Sequence, residues 1–438
     1  MPAGRRTRPR CASCTACATA SQRRSTSGSP NTFTRLAAAG FAGQDHIGRV
    51  ELGNAVGKAQ DHDLVYALVQ DAKLLNNGGV AGIDAPEGAK PPIGSTVLNG
   101  LYVSKDFGAT WTELASGTEL AADPTSGSAL FGYGTAVGYQ PGVQGWYNLW
   151  VQPDPTRQTA SGVPTRMAFG LEEIWSNEAA SLPVPLDGSV PVKFHVVGKY
   201  FAGSSCQLLS TGLPACPTDR EPGDDNLTTH PDQHGGIFIP NEGTGVTLVV
   251  GNDGGVYRQS DTTGATPFSQ QGFGNGAQSG FHDLLPYGIA MAKDGTAYMG
   301  LQDNGEAKID KDTGKQYMVY GGDGVFTVVD PNNSNIVYEE YPGARVSLST
   351  DGGKTFTAIT PSFVTDADFV TPLVMDPRNA KHVVTGGRQI AETTVGEATT
   401  GSSGWMNVYD LGVKSSPGDG GKATADDPAN HVVSLAVD

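Results

Sequence analysis

The chain lacks the features of membrane-spanning, helical or nucleic-acid-binding proteins. No apolar run approaches the roughly 18 residues that a membrane-spanning helix needs. Stretches with apolar residues at i, i+3, i+4 and i+7 are scarce, which argues against a helical bundle. Lysine and arginine number 29 against 45 aspartates and glutamates, and the net charge of -16 repels phosphate backbones and anionic lipids. We therefore expect neither nucleic acid nor a membrane as a partner.

Cysteine is also scarce, and its five residues fall into two groups. Cys11, Cys14 and Cys17 form a Cys-x2-Cys-x2-Cys run, but no fourth ligand lies nearby, so the run does not favour a metal or iron–sulfur site. Cys206 and Cys216 bound a loop that contains Gly and Pro, and a disulfide there would contribute roughly 2–3 kcal/mol in an oxidising compartment. Two free thiols are the alternative.

A recognisable export signal is missing as well. Residues 1–45 contain several arginines but no apolar core of the kind that a signal peptide has, so we interpret them as a disordered or aberrant leader. The expectation of an extracellular, secreted protein rests instead on the acidic composition, the low lysine content and the Cys206–Cys216 pair.

Glycine, by contrast, is abundant. It accounts for 60 of 438 residues, while hydrophobic residues still make up 38% of the chain. This combination predicts many turns around a packed core. Short β-rich runs such as Thr247–Val250 and Val325–Val329 lie between clusters of Gly, Asp and Asn. The sequence therefore predicts an all-β fold, and the length favours one that grows by repetition.

Two motifs recur along the chain, which indicates repeated structural units. The first is a turn rich in Asp, Pro or Asn followed by a β-run, and its copies are Gln60–Leu68, Asp330–Tyr338, Asp376–Val384 and Asp427–Val433. The second is an octapeptide of the form Ser-x-Asp-x-Gly-x-Thr-aromatic, with clear copies at Ser104–Trp111 and Ser349–Phe356. Weaker copies are Asp310–Tyr317, which keeps Asp312 and Gly314, and Ser260–Phe268.

Each position of the octapeptide has a predicted role in a tight hairpin. The aspartate accepts backbone N–H groups, the glycine supplies a positive φ, and the Ser and Thr hydroxyls satisfy the remaining turn groups. The closing aromatic ring is expected to pack between neighbouring sheets. The residues in these roles are Ser104, Asp106, Gly108, Thr110 and Trp111 in the first copy and Ser349, Asp351, Gly353, Thr355 and Phe356 in the second.

These octapeptides match the Asp box, and over about residues 48–438 the chain resembles the BNR/Asp-box β-propeller superfamily, especially its bacterial secreted members. That superfamily includes sialidases, sortilin-type receptors and xyloglucan-active glycoside hydrolases. Further similarity lies in Gly251–Arg258, Gly300–Gly305 and His230–His234. The resemblance implies a propeller of about six or seven four-stranded blades over residues 46–438. Because a propeller closes its ring and the last repeat starts at Asp427, we expect it to be incomplete at its C-terminal end.

Three aspartates directly follow β-runs and are flanked by Gly or Asn, namely Asp253, Asp303 and Asp323. In a propeller such strand-end loops converge on the central channel. Paired carboxylates there act as general acid and base on a glycosidic bond, about 5 Å apart for retention or 6.5–9.5 Å for inversion. The alternatives are ordinary turn chemistry and Ca²⁺ binding through carboxylate and carbonyl oxygens.

A second candidate site is the segment His230–His234, where two of the eight histidines flank Asp232. In an extended segment His230, Asp232 and His234 would project on one side, which suits a divalent metal, proton transfer or substrate contacts. Pro231 disturbs this geometry. The alternative is a polar loop whose histidines bond to neighbouring backbone.

Aromatic residues cluster in two segments, Gly145–Trp150 and Glu173–Trp175. They suggest a sugar-stacking platform, because aromatic rings suit the apolar faces of pyranoses. Packing between blades is the alternative. The predicted substrate-binding residues are Trp146, Tyr147, Trp150, Trp175, His230, His234 and Arg258.

The functional expectation follows from these sites and from the resemblance. The sequence lacks a recognisable Phe/Tyr-Arg-Ile-Pro motif and arginine triad of sialidases, and it lacks the Cys-rich module that follows the propeller in sortilin-type receptors. We therefore expect a secreted, monomeric glycoside hydrolase acting on a polysaccharide, with no required cofactor and Ca²⁺ as an optional ligand. The alternative is a non-catalytic propeller that binds a glycan or a protein.

Overall fold

The computed structural model is almost entirely β where the chain is described. The described residues are 22–24, 33–35, 38–76, 96–128, 130, 140–177, 186, 192–199, 229–243, 245–261, 268, 273, 284, 286–412 and 430–437. Among them, the helical elements are short: α1 (Ala72–Asn76), α2 (Gly117–Ala122) and 3-10 turns at Gln44–His46 and Gly396–Ala398. None of these helices is long and apolar enough to cross a membrane. The cysteines lie outside the described residues.

The chain divides into two compact units. The first comprises Met1–Ser126, Tyr133–Glu172 and Ser176–His195, and the second comprises Gly127–Gly132, Glu173–Trp175 and Val196–Asp438. A short hairpin of β1 (Gln22–Arg24) and β2 (Phe33–Arg35) precedes the larger sheets.

Two four-stranded sheets come first along the chain, and in each the order in space follows the order in sequence. Sheet 1 consists of β3 (Ile47–Asn54), β4 (Val65–Asp71), β5 (Leu98–Ser104) and β6 (Thr112–Ser116). Sheet 2 consists of β7 (Trp150–Pro153), β8 (Met167–Gly170), β9 (Ile174–Asn177) and β10 (Phe194–Gly198).

Four more sheets follow in the second unit with the same meander order, and three described strands form the first of them. Sheet 3 contains β11 (Gln233–Pro240), β12 (Val246–Asn252) and β13 (Gly255–Asp261). Sheet 4 contains β14 (Pro286–Met291), β15 (Ala297–Leu301), β16 (Gly305–Ile309) and β17 (Gln316–Tyr320). Sheet 5 contains β18 (Thr327–Val329), β19 (Val337–Tyr341), β20 (Arg345–Ser349) and β21 (Thr357–Ala358). Sheet 6 contains β22 (Leu373–Asp376), β23 (Asn379–Gly386), β24 (Gln389–Thr393) and β25 (Trp405–Asp410).

Repeated four-stranded meanders are the blades of a β-propeller, so the predicted fold class is confirmed. Three of the turn-and-run repeats lead into the second strand of a sheet, namely β4, β19 and β23. The fourth was predicted to end in a β-run at His431–Val433, which is wrong because residues 430–437 are irregular.

The two clear octapeptides connect the third and fourth strands of sheets 1 and 5. In the first, the Ser104 hydroxyl accepts the N–H of Gly108 at 2.7 Å. Asp106 accepts the backbone N–H and the hydroxyl of Thr110, each at 2.7 Å. Gly108 has a φ of 94°, a conformation that glycine adopts without steric cost.

The second octapeptide repeats this network. Ser349 accepts the N–H of Gly353 at 2.9 Å. Asp351 accepts the backbone N–H of Thr355 at 2.9 Å and its hydroxyl at 2.7 Å. The weaker copy differs, because Asp310 accepts the N–H and hydroxyl of Thr313. Asp312, which occupies the motif position of Asp106 and Asp351, instead pairs with Lys311.

The closing aromatic rings behave differently in the two hairpins. Phe356 of sheet 5 packs against sheet 4, with its ring centroid 5.4 Å from that of Tyr320, as predicted. Trp111 packs on strands of its own sheet and on Phe41, with ring centroids 4.9 Å apart. Among the described residues, the Trp111 ring is covered by the segment around Phe41 and not by a neighbouring sheet. The prediction that Trp111 contacts a neighbouring sheet is therefore wrong for this part of the chain.

Chain reversal at each strand decides which loops can share a site. In an antiparallel meander, the connection between the second and third strands and the connection after the fourth strand lie at the same end. The octapeptide hairpins, between third and fourth strands, lie at the opposite end. In sheet 4 this brings the second-to-third turn, residues 302–304, to the same end as residues 321–326. We call this the carboxylate end.

Candidate functional site

Three aspartates meet at the carboxylate end. Asp253 lies in the β12–β13 turn, Asp303 lies in the β15–β16 turn, and Asp232 precedes β11. Each offers one carboxylate oxygen, and these three oxygens lie within 4.8 Å of one another. Asp232 is buried, whereas the other two are half-buried. The cluster is therefore partly open to a ligand.

Asp323 completes the group from the connection between β17 and β18. Its Oδ1 accepts the backbone N–H of Asp303 at 3.0 Å. The three aspartates that the strand-end pattern singled out, Asp253, Asp303 and Asp323, thus lie together, with Asp232 as a fourth carboxyl group.

Crowding of the carboxyl groups changes the proton affinity of Asp303. Burial, the charge of Asp323 and the hydrogen bond to Asp253 raise the pKa of Asp303 to about 7. A carboxyl group beside like charges and out of water holds its proton at a pH where an ordinary aspartate is ionised. Asp303 is consequently suited to give and take a proton near neutral pH.

Two of these aspartates have left-handed backbones. Asp303 has a φ of 59° and Asp232 has a φ of 62°. Such conformations are uncommon for residues other than glycine, although aspartate tolerates them better than most, and they persist where surrounding contacts hold them. Gly305 follows in the same turn with a φ of 68°, and a Cβ there would lie 2.0 Å from the Tyr320 carbonyl oxygen.

His230 lies under the two turns. Its Nε2 is 2.7 Å from the Asp303 carbonyl oxygen, to which it donates. Its ring packs so closely on Gly254 that a Cβ at that glycine would lie 2.4 Å from it. Burial lowers the pKa of His230. Because Nε2 donates to the backbone carbonyl of Asp303, it is directed away from any shared ligand. This favours the polar-loop alternative over a metal or substrate contact.

His234 is on the other side of the cluster. More than a third of its side chain is exposed, and its Nε2 contacts the Asp253 carboxylate. His230, Asp232 and His234 do not form one metal-binding face, because Pro231 and the left-handed Asp232 break the strand alternation before β11 begins. Among the described residues, Asp232, Asp253 and Asp303 are the group whose ligand atoms come together.

Asn304 is a site residue that no sequence pattern singled out. Its Nδ2 donates to the carbonyl oxygens of Asp253 and Gln302, each at 3.0 Å, and so joins the two turns. Asn252 has a similar role, since its Nδ2 donates to the His230 carbonyl at 3.0 Å. Both were hidden because Asn beside Gly is typical of any turn.

The predicted sugar-stacking platform needs correction. Trp150 is 5% exposed and Trp175 is 0% exposed, so both belong to the core and cannot stack on a sugar. Trp146 remains 50% exposed, with its ring centroid 5.6 Å from that of Tyr147. Exposed Trp146 and half-buried Tyr147 belong to the first unit, whereas the carboxyl cluster belongs to the second.

Arg258, another predicted substrate-binding residue, is exposed on β13. It pairs with Val249 of β12, three residues along β13 from the start of that strand at Gly255. At about 3.3 Å per residue, its backbone is roughly 10 Å from the Asp253 turn. The structure gives it no contact with the carboxyl cluster among the described residues.

Comparisons with known proteins give no family. No protein-family model matches the chain, and no curated protein matches it. Similar solved structures include a GH74 xyloglucanase from Xanthomonas campestris, at 14% identity and a TM-score of 0.25 over 87% of this chain and 50% of that one. The GH74 enzyme of Niastella koreensis has 16% identity and a TM-score of 0.22 over 81% and 54%.

A third solved structure, YCF48 bound to a D1 peptide, has 10% identity and a TM-score of 0.22 over 70% of this chain and 75% of that one. The chain spans about half the length of the two GH74 proteins. TM-scores this low carry no argument about function, and the fold is established by the sheets themselves.

Proposed function

We propose that the chain is a carbohydrate-active propeller that hydrolyses glycosidic bonds, with Asp303 as the general acid. The observation that supports this most is a proton-holding carboxyl group, with a pKa raised to about 7, beside further carboxyl groups in a half-open cluster. A general acid must keep its proton at working pH, and its partner must be an unprotonated carboxylate within reach.

The short distance between carboxyl groups favours retention of configuration. One carboxylate oxygen of Asp303 and one of Asp253 lie no more than 4.8 Å apart, which is below the 6.5–9.5 Å of inverting enzymes and does not exceed the roughly 5 Å of retaining ones. In the proposed reaction, Asp303 protonates the leaving oxygen as the Asp253 carboxylate bonds to the anomeric carbon. Water then attacks that carbon, passes its proton to Asp303 and releases Asp253.

The octapeptide hairpins support the finer assignment to the BNR/Asp-box superfamily. Both clear copies use the same Ser, Asp and Thr hydrogen bonds in the same third-to-fourth connection. Secretion, a monomeric state and a polysaccharide substrate belong to this proposal as its expected setting.

Reducing-sugar release from a panel of polysaccharides tests the proposal. D303N and D253N are each expected to lower the rate by at least about 100-fold, while D312N, at an exposed turn away from the cluster, leaves it unchanged. Product analysis by NMR should show the anomeric configuration of the substrate. If D303N and D253N cleave as fast as the unaltered chain, the two carboxyl groups have no role in hydrolysis.

A second candidate is a non-catalytic module that binds Ca²⁺ and a glycan or protein. Three carboxylate oxygens within 4.8 Å of one another suit an oxygen-seeking cation, and the exposed ring of Trp146 suits a ligand with apolar faces. Calorimetric titration with Ca²⁺ should show binding that D232N weakens. Heat of dilution alone, for the unaltered chain, would remove the cation from this alternative.

A further inference from the structure

One imidazole ties together three segments that are distant in sequence. His230 precedes sheet 3, its ring lies on Gly254 in the β12–β13 turn, and its Nε2 donates to the Asp303 carbonyl at 2.7 Å. The backbone of His230 is also held, because its carbonyl accepts from Asn252 Nδ2 at 3.0 Å and from Gln233 Nε2 at 2.6 Å. The donor therefore has a fixed position.

Asp303, which accepts this hydrogen bond, has a left-handed backbone that requires support from its neighbours. Asp303 has a φ of 59°, a conformation that is uncommon for residues other than glycine and that persists where surrounding contacts hold it. Its N–H donates to Asp323 and its carbonyl accepts from His230, so the peptide groups on both sides of Asp303 are anchored. Nε2 is a donor to this carbonyl in the neutral Nε2–H tautomer and in the protonated imidazolium alike, because a carbonyl oxygen only accepts.

We propose that His230 is a positioning residue, whose Nε2–H holds the Asp303 turn so that the Asp303 carboxyl stays against Asp253 and Asp323. Its consequence for catalysis rests on the proposed function. The positioning itself is a statement about the carboxyl cluster, and it is measurable whether or not a substrate is found.

The predicted consequence is a change in the titration of Asp303. Release of the turn exposes its carboxyl group to water and moves it away from Asp323 and Asp253, and burial and these two neighbours are what raise its pKa. The pKa of Asp303 should then fall towards the ordinary value of about 4. A merely structural loss elsewhere in the fold would not produce this selective shift.

The variants distinguish the effect of losing the Nε2–H donor from the effect of losing the ring that packs on Gly254. H230F keeps a flat ring on Gly254 and removes the donor, whereas H230Q places an amide N–H near the position of Nε2 and should rescue. H230N is the matched polar variant whose shorter amide does not reach. His62 is a control, since its Nε2 also contacts a backbone carbonyl, that of Gly57 at 3.0 Å, in the other unit. H62F should leave Asp303 unaffected.

The experiment is a pH titration of the full chain with ¹³Cγ-labelled aspartate, with D303N used to assign the Asp303 signal. We expect H230F and H230N to lower the Asp303 midpoint by at least about one pH unit, and H230Q and H62F to leave it in place. Should H230F fail to fold, the comparison of H230Q with H230N decides. An unchanged midpoint in both H230F and H230N, or in H230N alone if H230F is unfolded, overturns the positioning role.

Kinetics separate this proposal from the proposed function. If the chain hydrolyses a polysaccharide, H230F should lower kcat by about 10–100-fold with little change in KM, and H230Q should restore it. If no substrate is cleaved, the proposed function fails while the titration still decides the role of His230. If cleavage is found but kcat of H230F is unchanged, positioning by His230 is overturned for catalysis.

Discussion

The backbone N–H of Asp303 donates a 3.0 Å hydrogen bond to the carboxylate of Asp323, which lies 20 residues later on the connection that leaves the same sheet. Strand reversal brings both residues to one end of sheet 4, and the bond orients the Asp303 turn. The same proximity lets the charge of Asp323 raise the pKa of Asp303. Backbone placement and proton affinity are therefore coupled at this site.

Replacing Asp323 with asparagine should separate the effect of its hydrogen bond from the effect of its charge. D323N keeps an oxygen that accepts the Asp303 N–H but removes the negative charge, so we expect the pKa of Asp303 to fall. In a pH profile of kcat/KM, the alkaline limb should move to lower pH, because the general acid loses its proton earlier. A limb that stays in place would show that Asp323 does not act on Asp303 through its charge.

The octapeptide hairpin should contribute measurably to stability. D351A removes the acceptor for the Thr355 N–H and hydroxyl, and we expect a loss of about 1–3 kcal/mol in the free energy of unfolding. D312A, in the exposed turn of the weaker copy, is the matched control and should cost much less. Urea denaturation measures both, and equal losses would contradict the asymmetric role of the two aspartates.

Buried glutamates should make the fold less stable in alkali. Burial raises the pKa of Glu306 to about 8, although the Thr327 hydroxyl, 2.7 Å from its Oε2, opposes the shift. Because the folded pKa exceeds the unfolded value of about 4.3, this contribution is complete below pH 4 and is lost as pH rises towards 8.

E306Q should remove part of that dependence, since the amide does not ionise. Denaturant unfolding at pH 5 and pH 9 should show a smaller difference for E306Q than for the unaltered chain. E51Q, on β3 in sheet 1, is a control with no expected effect on the difference. Equal pH dependence in all three proteins would mean that Glu306 does not ionise differently in the folded state.

The two classes of tryptophan should separate binding from stability. W175A creates a cavity in the core and should cost about 3–5 kcal/mol, whereas W146A removes an exposed ring and should leave the free energy of unfolding almost unchanged. If Trp146 contacts a glycan, W146A should weaken retention in affinity electrophoresis. Severe destabilisation by W146A would contradict the exposed position.

The sequence predicted the propeller well because its signals are local. Octapeptide turns and β-runs depend on neighbouring residues, and they lead to the correct connections in sheets 1 and 5. The strand-end pattern also led to Asp253, Asp303 and Asp323, which lie together because second-to-third turns and the connection after a fourth strand lie at the same end.

What the sequence did not predict depends on contacts between distant segments. The roles of His230 and Asn304 come from hydrogen bonds across 73 and 51 residues. The left-handed Asp232 broke the expected alternation before β11. Burial of Trp150 and Trp175 could not be separated from exposure of Trp146, since aromatic clusters suit both cores and binding surfaces.

The most direct test of a coupled carboxyl site is the titration midpoint of the Asp303 carboxyl group in the unaltered, full chain, measured by ¹³C NMR with D303N for assignment. We expect a midpoint near 7, since burial and the neighbouring Asp323 and Asp253 raise the pKa of Asp303 to about 7. A midpoint near 4, the value of an ordinary exposed aspartate, would contradict the claim that the carboxyl groups form one coupled site.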